Sequence, residues 1–212
     1  MHTELERVTV EIQRVHRSLE MGVFARPPLC AQQMLVSAED HRASRHQGVD
    51  FHAIARAIFV RVIYGRREGA STIVQQVIRV LNNEYEISFR RKLKEISLAL
   101  LVVERFDKII FPAIYLSIGY YGAGMVGYQN ACKKIGVPCS EENILIAAKI
   151  VARLKYPQPK NFCEKRNIKI LQREKHLIKL HKRHSLLGLH EYLDPRPIRF
   201  GKRSFARFGS SS

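Results

Sequence analysis

Ser88-Phe89-Arg90-Arg91-Lys92-Leu93-Lys94-Glu95-Ile96-Ser97-Leu98-Ala99-Leu100-Leu101-Val102-Val103-Glu104-Arg105-Phe106 is the strongest helix in the sequence. Serine is a good helix cap, and Phe89, Leu93, Ile96, Leu100 and Val103 recur at helical spacing, which predicts an apolar face made of those five residues. Working outward, Ile109 to Leu116 reads as a second apolar helix, with Pro112 in its first turn, where proline is tolerated. Gly119, Gly122, Gly124 and Gly127 are too dense for a helix interior. Glu142 to Leu154 is helical until Pro157 and Pro159, and Cys163 to Ser185 forms a basic helix.

Toward the N-terminus, Ser71 is the expected cap of a helix carrying Val74, Val77, Ile78 and Leu81, stopped by Asn82 and Asn83. Phe51, Ile54, Ala55, Ile58, Phe59 and Val62 give another helical face, with Arg56, Arg61 and Arg66 on the polar side. Leu5, Val8, Ile12, Val15 and Leu19 mark an amphipathic first helix, and Pro27 and Pro28 break the chain after it. No alternating strand series, repeat or long linker is evident. The expectation is one mainly α domain.

At 212 residues the chain can bury a full core. Charge is the compositional outlier. There are 36 Lys and Arg against 19 Asp and Glu, a net +17, and residues 153–207 hold 16 of the former and four of the latter. Such a surface favours anionic partners without choosing among them. Four cysteines, Cys30, Cys132, Cys139 and Cys163, are too few and too scattered for a disulfide framework or a zinc site. Charges interrupt every apolar run before it reaches the roughly 20 residues of a membrane span, and Met1 to Ile12 lacks the apolar core of a signal peptide.

Three clusters could carry chemistry. Glu39-Asp40-His41-Arg42-Ala43-Ser44-Arg45-His46-Gln47-Gly48-Val49-Asp50 packs carboxylates and histidines just before a helix. A carboxylate against apolar walls becomes a usable acid or base, although acidic residues at that place also serve as caps. Gly69-Ala70-Ser71-Thr72-Ile73-Val74-Gln75-Gln76-Val77-Ile78-Arg79 opens a helix with free N–H groups and one fixed cation, features that favour an anion, although it lacks the ending of a nucleotide phosphate loop. Arg91, Lys92 and Glu95 share one helix face, which an exposed salt-bridged surface would also explain.

Taken in order, these clusters resemble glycosyltransferase family 51, the peptidoglycan transglycosylases. Glu39, Asp40, His46, Gly48 and Asp50 match that family's first motif, E-D-x-x-F-x-x-H-x-G-x-D. Gly69, Ser71, Thr72, Ile73, Gln75 and Gln76 match G-G-S-T-I-T-Q-Q-L-x-K-N, with Arg79 at the lysine position, and Arg91, Lys92 and Glu95 match R-K-x-x-E. Tyr115, Leu116, Gly122, Gly124 and Gly127 follow the fourth motif, and Ala147, Ala148, Ala152, Leu154 and Pro159 the fifth. The resemblance covers residues 25 to 185.

It implies a lysozyme-like fold with a larger lobe and a smaller membrane-facing lobe, the latter carrying Phe51 to Tyr64. It divides the chain into an N-terminal helical extension (1–24), a transglycosylase domain (25–190) and a loose basic tail (191–212). The implied activity is polymerisation of lipid II into β-1,4 glycan strands with release of undecaprenyl diphosphate. Glu39 would be the general base and Glu95 would assist the leaving diphosphate. Asp40, His46, Ser71, Thr72, Gln75, Gln76, Arg79, Arg91 and Lys92 would bind substrate. No cofactor is required, and a divalent cation (Mg or Mn) is compatible with Glu95.

The departures from the family pattern are Ala43, Ala70, Val74 and Ser117, together with Ile87 in place of a diphosphate-binding arginine and Leu145 or Ile146 in place of the fifth-motif Glu. Rival readings are a glycan-cleaving lysozyme-like enzyme and a non-catalytic lipid or glycan binder. Expected partners are lipid II, the growing glycan strand, an anionic membrane surface and a membrane-anchored cell-wall synthesis protein, with no specific nucleic acid. The resemblance implies a peripheral protein on the periplasmic face of the bacterial inner membrane, and the missing leader leaves a cytoplasmic place open.

Overall fold

The computed structural model describes residues 2–86 and 88–193. Ile87, expected to be a lost cation, and the tail from Asp194 lie outside the described residues. The described chain is mainly helical. Nine α-helices run in the order α1 (His2–Glu20), α2 (Leu29–Glu39), α3 (Phe51–Tyr64), α4 (Ile73–Asn82), α5 (Phe89–Val103), α6 (Phe111–Ile118), α7 (Tyr128–Ile135), α8 (Ile144–Lys155) and α9 (Glu164–Leu186). A short antiparallel ribbon, β1 (Tyr120–Gly122) with β2 (Met125–Val126), sits between α6 and α7 where the dense glycines were read only as a helix break.

Helix α2 is central. Cys30, Ala31, Met34, Leu35 and Val36 are buried on several of its sides, as expected of a helix enclosed by others. It packs against α6, α8 and α9. Pro28 at its start offers no capping side chain, so the Glu142 carboxylate from the loop before α8 accepts from the Leu29 and Cys30 amides at 2.6 and 2.8 Å. That distant carboxylate also suits the positive end of the helix dipole. With its start fixed in this way, α2 delivers Glu39 and Asp40 at its C-terminal end.

Helix α1 buries the five residues expected, Leu5, Val8, Ile12, Val15 and Leu19. Its polar side is tied to the site-bearing helices: Lys94 of α5 bonds both Glu4 and Glu84, and Arg7 reaches Asn82 at the end of α4.

Two expectations about helix faces are corrected. In α5, Phe89 and Leu93 are exposed, and the buried residues are Glu95, Leu98, Ala99 and Val102. Leu98 to Val103 is apolar all round, so spacing cannot choose the face there, and the ion pair of Glu95 with Arg79 of α4 marks the inward side instead. In α4, the cap is Thr72 rather than Ser71. The Thr72 hydroxyl accepts from the Gln75 amide while the Gln75 side chain accepts from the Thr72 amide, a reciprocal capping box. Ser71 is thereby free to accept from Arg79 and Lys92.

Helix α3 has the expected start, with Asp50 as its cap. Of its 14 residues only Ala53 is buried. Phe51, Ile58, Phe59, Val62, Ile63 and Tyr64 are all exposed, between 58 and 75%.

Candidate active site

The site forms where the C-terminal end of α2 meets the N-terminal end of α4. Asp40 makes the joint. One of its oxygens lies 2.8 Å from His46 Nε2, and the other accepts from the Ile73 amide at 3.1 Å. Thr72 donates to the Gly48 carbonyl at 2.6 Å, which fastens the first motif to the second. Gly48 itself has φ +76°, and a Cβ there would meet the Ala99 carbonyl and the Val103 side chain at 2.8 Å. This is a position that only glycine fills without strain. Asp40, Thr72 and Gln75 are buried and bonded within the protein, and the His46 side chain is nearly as buried, although Gln75 Nε2 and His46 Nδ1 have no hydrogen-bond partner there. Of the residues expected to bind substrate, these four hold the site together.

The remaining expected residues gather around two carboxylates in opposite electrostatic states. Glu39 is half-buried and only loosely bonded. Gln76 Nε2 donates to one oxygen at 3.4 Å and Arg173 Nη2 lies 3.5 Å from the other. Burial raises its pKa, and Arg173, Gln76 and Lys155 offset that only in part. A carboxylate held this way can accept a proton.

Glu95 is nearly inaccessible and tightly clamped. Arg79 donates to it at 3.0 and 3.1 Å, Arg91 at 2.6 Å and Lys92 at 2.7 Å. Burial pushes its pKa up, but the hydrogen bonds from Arg79 and Lys92 outweigh this and leave it below the ordinary carboxylate range. Lys92 is pulled down by its own burial, which the Glu95 contact only partly offsets. Three cations around one carboxylate leave a surplus of two positive charges, which suits a phosphate-type anion. The same surplus makes this a poor place for a divalent cation, since the one carboxylate is already neutralised and cations crowd it. Among the described residues no group of three or more His, Cys, Asp or Glu converges to hold a metal.

Ser71 links the two regions. Its hydroxyl accepts from Arg79 and Lys92 at 3.1 and 3.0 Å, and it lines one cleft with Glu39, Asp40, His41, Arg42, Arg56 and Thr72. Tyr115 of α6 lies within the field of both, its phenol pushed up by burial and by Glu39 and pulled back by Arg79.

Sequence reasoning missed Arg173 and Lys155, which face Glu39 from α9 and α8. The signal was present. Arg173 stands three residues after buried Ile170 and four before buried Leu177, a core-facing register inside a helix read as a charged surface.

A family model for transglycosylases matches residues 7–181. The chain belongs to the transglycosylase family, the enzyme class that its mainly α fold and paired carboxylates fit. It is 33% identical over 131 residues to penicillin-binding protein 1A of Rickettsia bellii, covering 60% of this chain and 17% of that protein. To penicillin-binding protein 2a of Streptococcus pneumoniae it is 32% identical over 128 residues, covering 60% of the chain and 17% of the relative. To penicillin-binding protein 1F of Bacillus subtilis it is 30% identical over 105 residues, covering 49 and 15%. The chain therefore spans less than a fifth of the length of these relatives.

Proposed function

We propose that this chain is a peptidoglycan glycosyltransferase that joins lipid II units into β-1,4 glycan with release of undecaprenyl diphosphate. The observation that carries the reading is the contrast between a loosely held, partly desolvated Glu39 and a Glu95 clamped by three cations, both contacted by side chains of α4. In this scheme Glu39 takes the proton from the acceptor sugar's 4-hydroxyl as its oxygen attacks the donor's anomeric carbon. The bond to the diphosphate breaks, and Arg79, Arg91 and Lys92 stabilise the charge that develops on the leaving oxygens. Asp40, His46, Thr72 and Gln75 act by holding this geometry, Ser71 lines the cleft, and Gln76 donates to Glu39. No step is routed through a metal ion.

A hydrolase acting on neutral glycan has no use for three cations around one of its carboxylates, so polymerisation is preferred to cleavage. Incubating the protein with labelled lipid II separates the readings: polymer supports this one, fragments of a preformed glycan strand support cleavage, and no product supports a binder.

We further propose that the protein works at the surface of an anionic membrane, with the exposed apolar side chains of α3 entering the interface and the basic late segment supplying charge attraction. The surface would be the periplasmic face of the bacterial inner membrane. No helix among the described residues is long and apolar enough to cross a membrane, so a membrane-anchored partner in cell-wall synthesis fits the same picture.

A further inference from the structure

Glu39 can serve as a base only while it is ionised, and its surroundings oppose that. The carboxylate stands at the end of a buried helix, and desolvation is the strongest influence on it. Five groups bear on it from the elements packed around it. Asp40 follows it in the chain and repels its charge, Gln76 of α4 donates to it, and Tyr115 of α6 feels its field. Lys155 of α8 and Arg173 of α9 are the two cations acting on it. Lys155 is exposed, so solvent screens it. The Arg173 side chain is only 12% exposed.

The Arg173 guanidinium is fixed independently of Glu39. Its Nη2 donates to the Ala38 carbonyl at 3.2 Å, a shorter contact than the 3.5 Å to Glu39 Oε1. The next residue, Glu174, is paired at 3.0 Å with Arg153 of α8, both side chains little exposed, which fixes the register of α9 against α8. The cation is therefore held beside the base by the backbone and by packing. Its distance is beyond the 2.7–2.9 Å of a tight charge-assisted bond, yet within the roughly 4–6 Å over which an opposite charge favours ionisation. A shorter, bidentate pair would occupy the lone pairs that must receive the proton.

We propose that Arg173 is the positioning residue that keeps the Glu39 carboxylate ionised and oriented inside its desolvated site while leaving its oxygens free to accept a proton. The inference rests on Glu39 acting as a base, as set out above, and deepens that reading.

The test reads Glu39 directly, without substrate. The full chain is labelled with 13C at the glutamate carboxyl carbons, and the Glu39 resonance is assigned by its loss in Glu39→Gln. In Arg173→Met, which keeps the aliphatic stem, the titration midpoint of that resonance rises by about one pH unit or more, the effect expected from losing an opposite charge at such a distance. Arg173→Lys restores most of the difference, and Lys155→Met moves the midpoint less than Arg173→Met does. The acid limb of the polymerisation profile moves with the midpoint in each variant. An unchanged Glu39 midpoint in a folded Arg173→Met would overturn the proposal, as would equal shifts for Arg173→Met and Lys155→Met. A shifted midpoint with no polymerisation by any variant, wild type included, would uphold the Arg173 contact and contradict the proposed function alone.

Discussion

Gln75 and Gln76 are neighbours on α4 yet serve different carboxylates. Gln75 Oε1 accepts from Lys92 at 3.1 Å within the Glu95 cluster, and Gln76 Nε2 donates to Glu39 at 3.4 Å. Successive residues of a helix point about 100° apart, so one short helix can address two sites. Helix α4 thereby fixes the spacing between a prospective base and a prospective anion site. Its own start is set by the Thr72 capping box and by Asp40.

The two carboxylates should respond oppositely to neutralisation. Glu95→Gln leaves Arg79, Arg91 and Lys92 facing one another in a partly buried site, and should cost about 3–5 kcal/mol of stability, the usual effect of breaking a buried ion pair. Glu39→Gln removes a charge that burial already disfavours and should leave stability unchanged or slightly raised. Urea denaturation of both variants at neutral pH checks the contrast, and equal losses would contradict it.

Removing one cation tests the anion site. With Arg79→Leu, Glu95 keeps Arg91 and Lys92, so the fold should persist. A charge-assisted contact is worth about 1.5–3 kcal/mol, so the affinity for a diphosphate-bearing donor should fall about tenfold or more. Fluorescence titration with a labelled lipid diphosphate measures this. Unchanged affinity in a folded variant would place the anion elsewhere.

Acid should loosen the protein through a histidine cluster at the end of α9. His181 and His190 stack at 4.9 Å between centroids and His41 stacks on His184 at 5.5 Å, while His190 also bonds Ser37 of α2 at 2.7 Å. Burial lowers the pKa of His181, of His184 and of His190, the last to about 4. Between pH 6.5 and about 4 the unfolded chain takes up protons that the folded chain refuses, so stability falls as pH falls. Glu39, raised by burial, acts in the opposite sense but is one group against four histidines, His41 included. Chemical denaturation at pH 7.5 and 5 should show the loss, and His181→Gln combined with His190→Gln should flatten it.

The exposed face of α3 should matter to membranes and little to the fold. Ile58 and Phe59 are 59 and 58% exposed, so replacing both by Ser should leave thermal stability nearly unchanged. Binding of the wild type to anionic vesicles should fall steeply with salt, since charge attraction is screened over about 8 Å at physiological ionic strength. The salt-resistant remainder should shrink in the double variant. Equal binding to neutral and anionic vesicles at every salt concentration would contradict the electrostatic half.

Much of this was legible in the sequence, for physical reasons. Leu5 to Leu19 was read correctly because a surface helix with one apolar stripe has one way to face. The face of α5 was misread because its second half is apolar all round, and the deciding contacts are those to α4 and its start, Glu95 with Arg79 and Lys92 with Ser71 and Gln75, which spacing does not encode. Ser71 and Thr72 are equally good caps in isolation, and the Gly48 carbonyl and Gln75 select Thr72. Arg173 escaped notice because a cation in a basic helix looks solvated until the helix has a partner.

The central claim is that Glu39 is the base of a lipid II polymerase, and the most direct measurement is the polymerisation rate of purified wild type and Glu39→Gln on labelled lipid II in detergent. The expected result is polymer from wild type and a rate lower by orders of magnitude from a Glu39→Gln protein that is equally stable. Polymer formed equally fast by both proteins would contradict the role of Glu39, and no polymer from wild type would contradict the proposed activity.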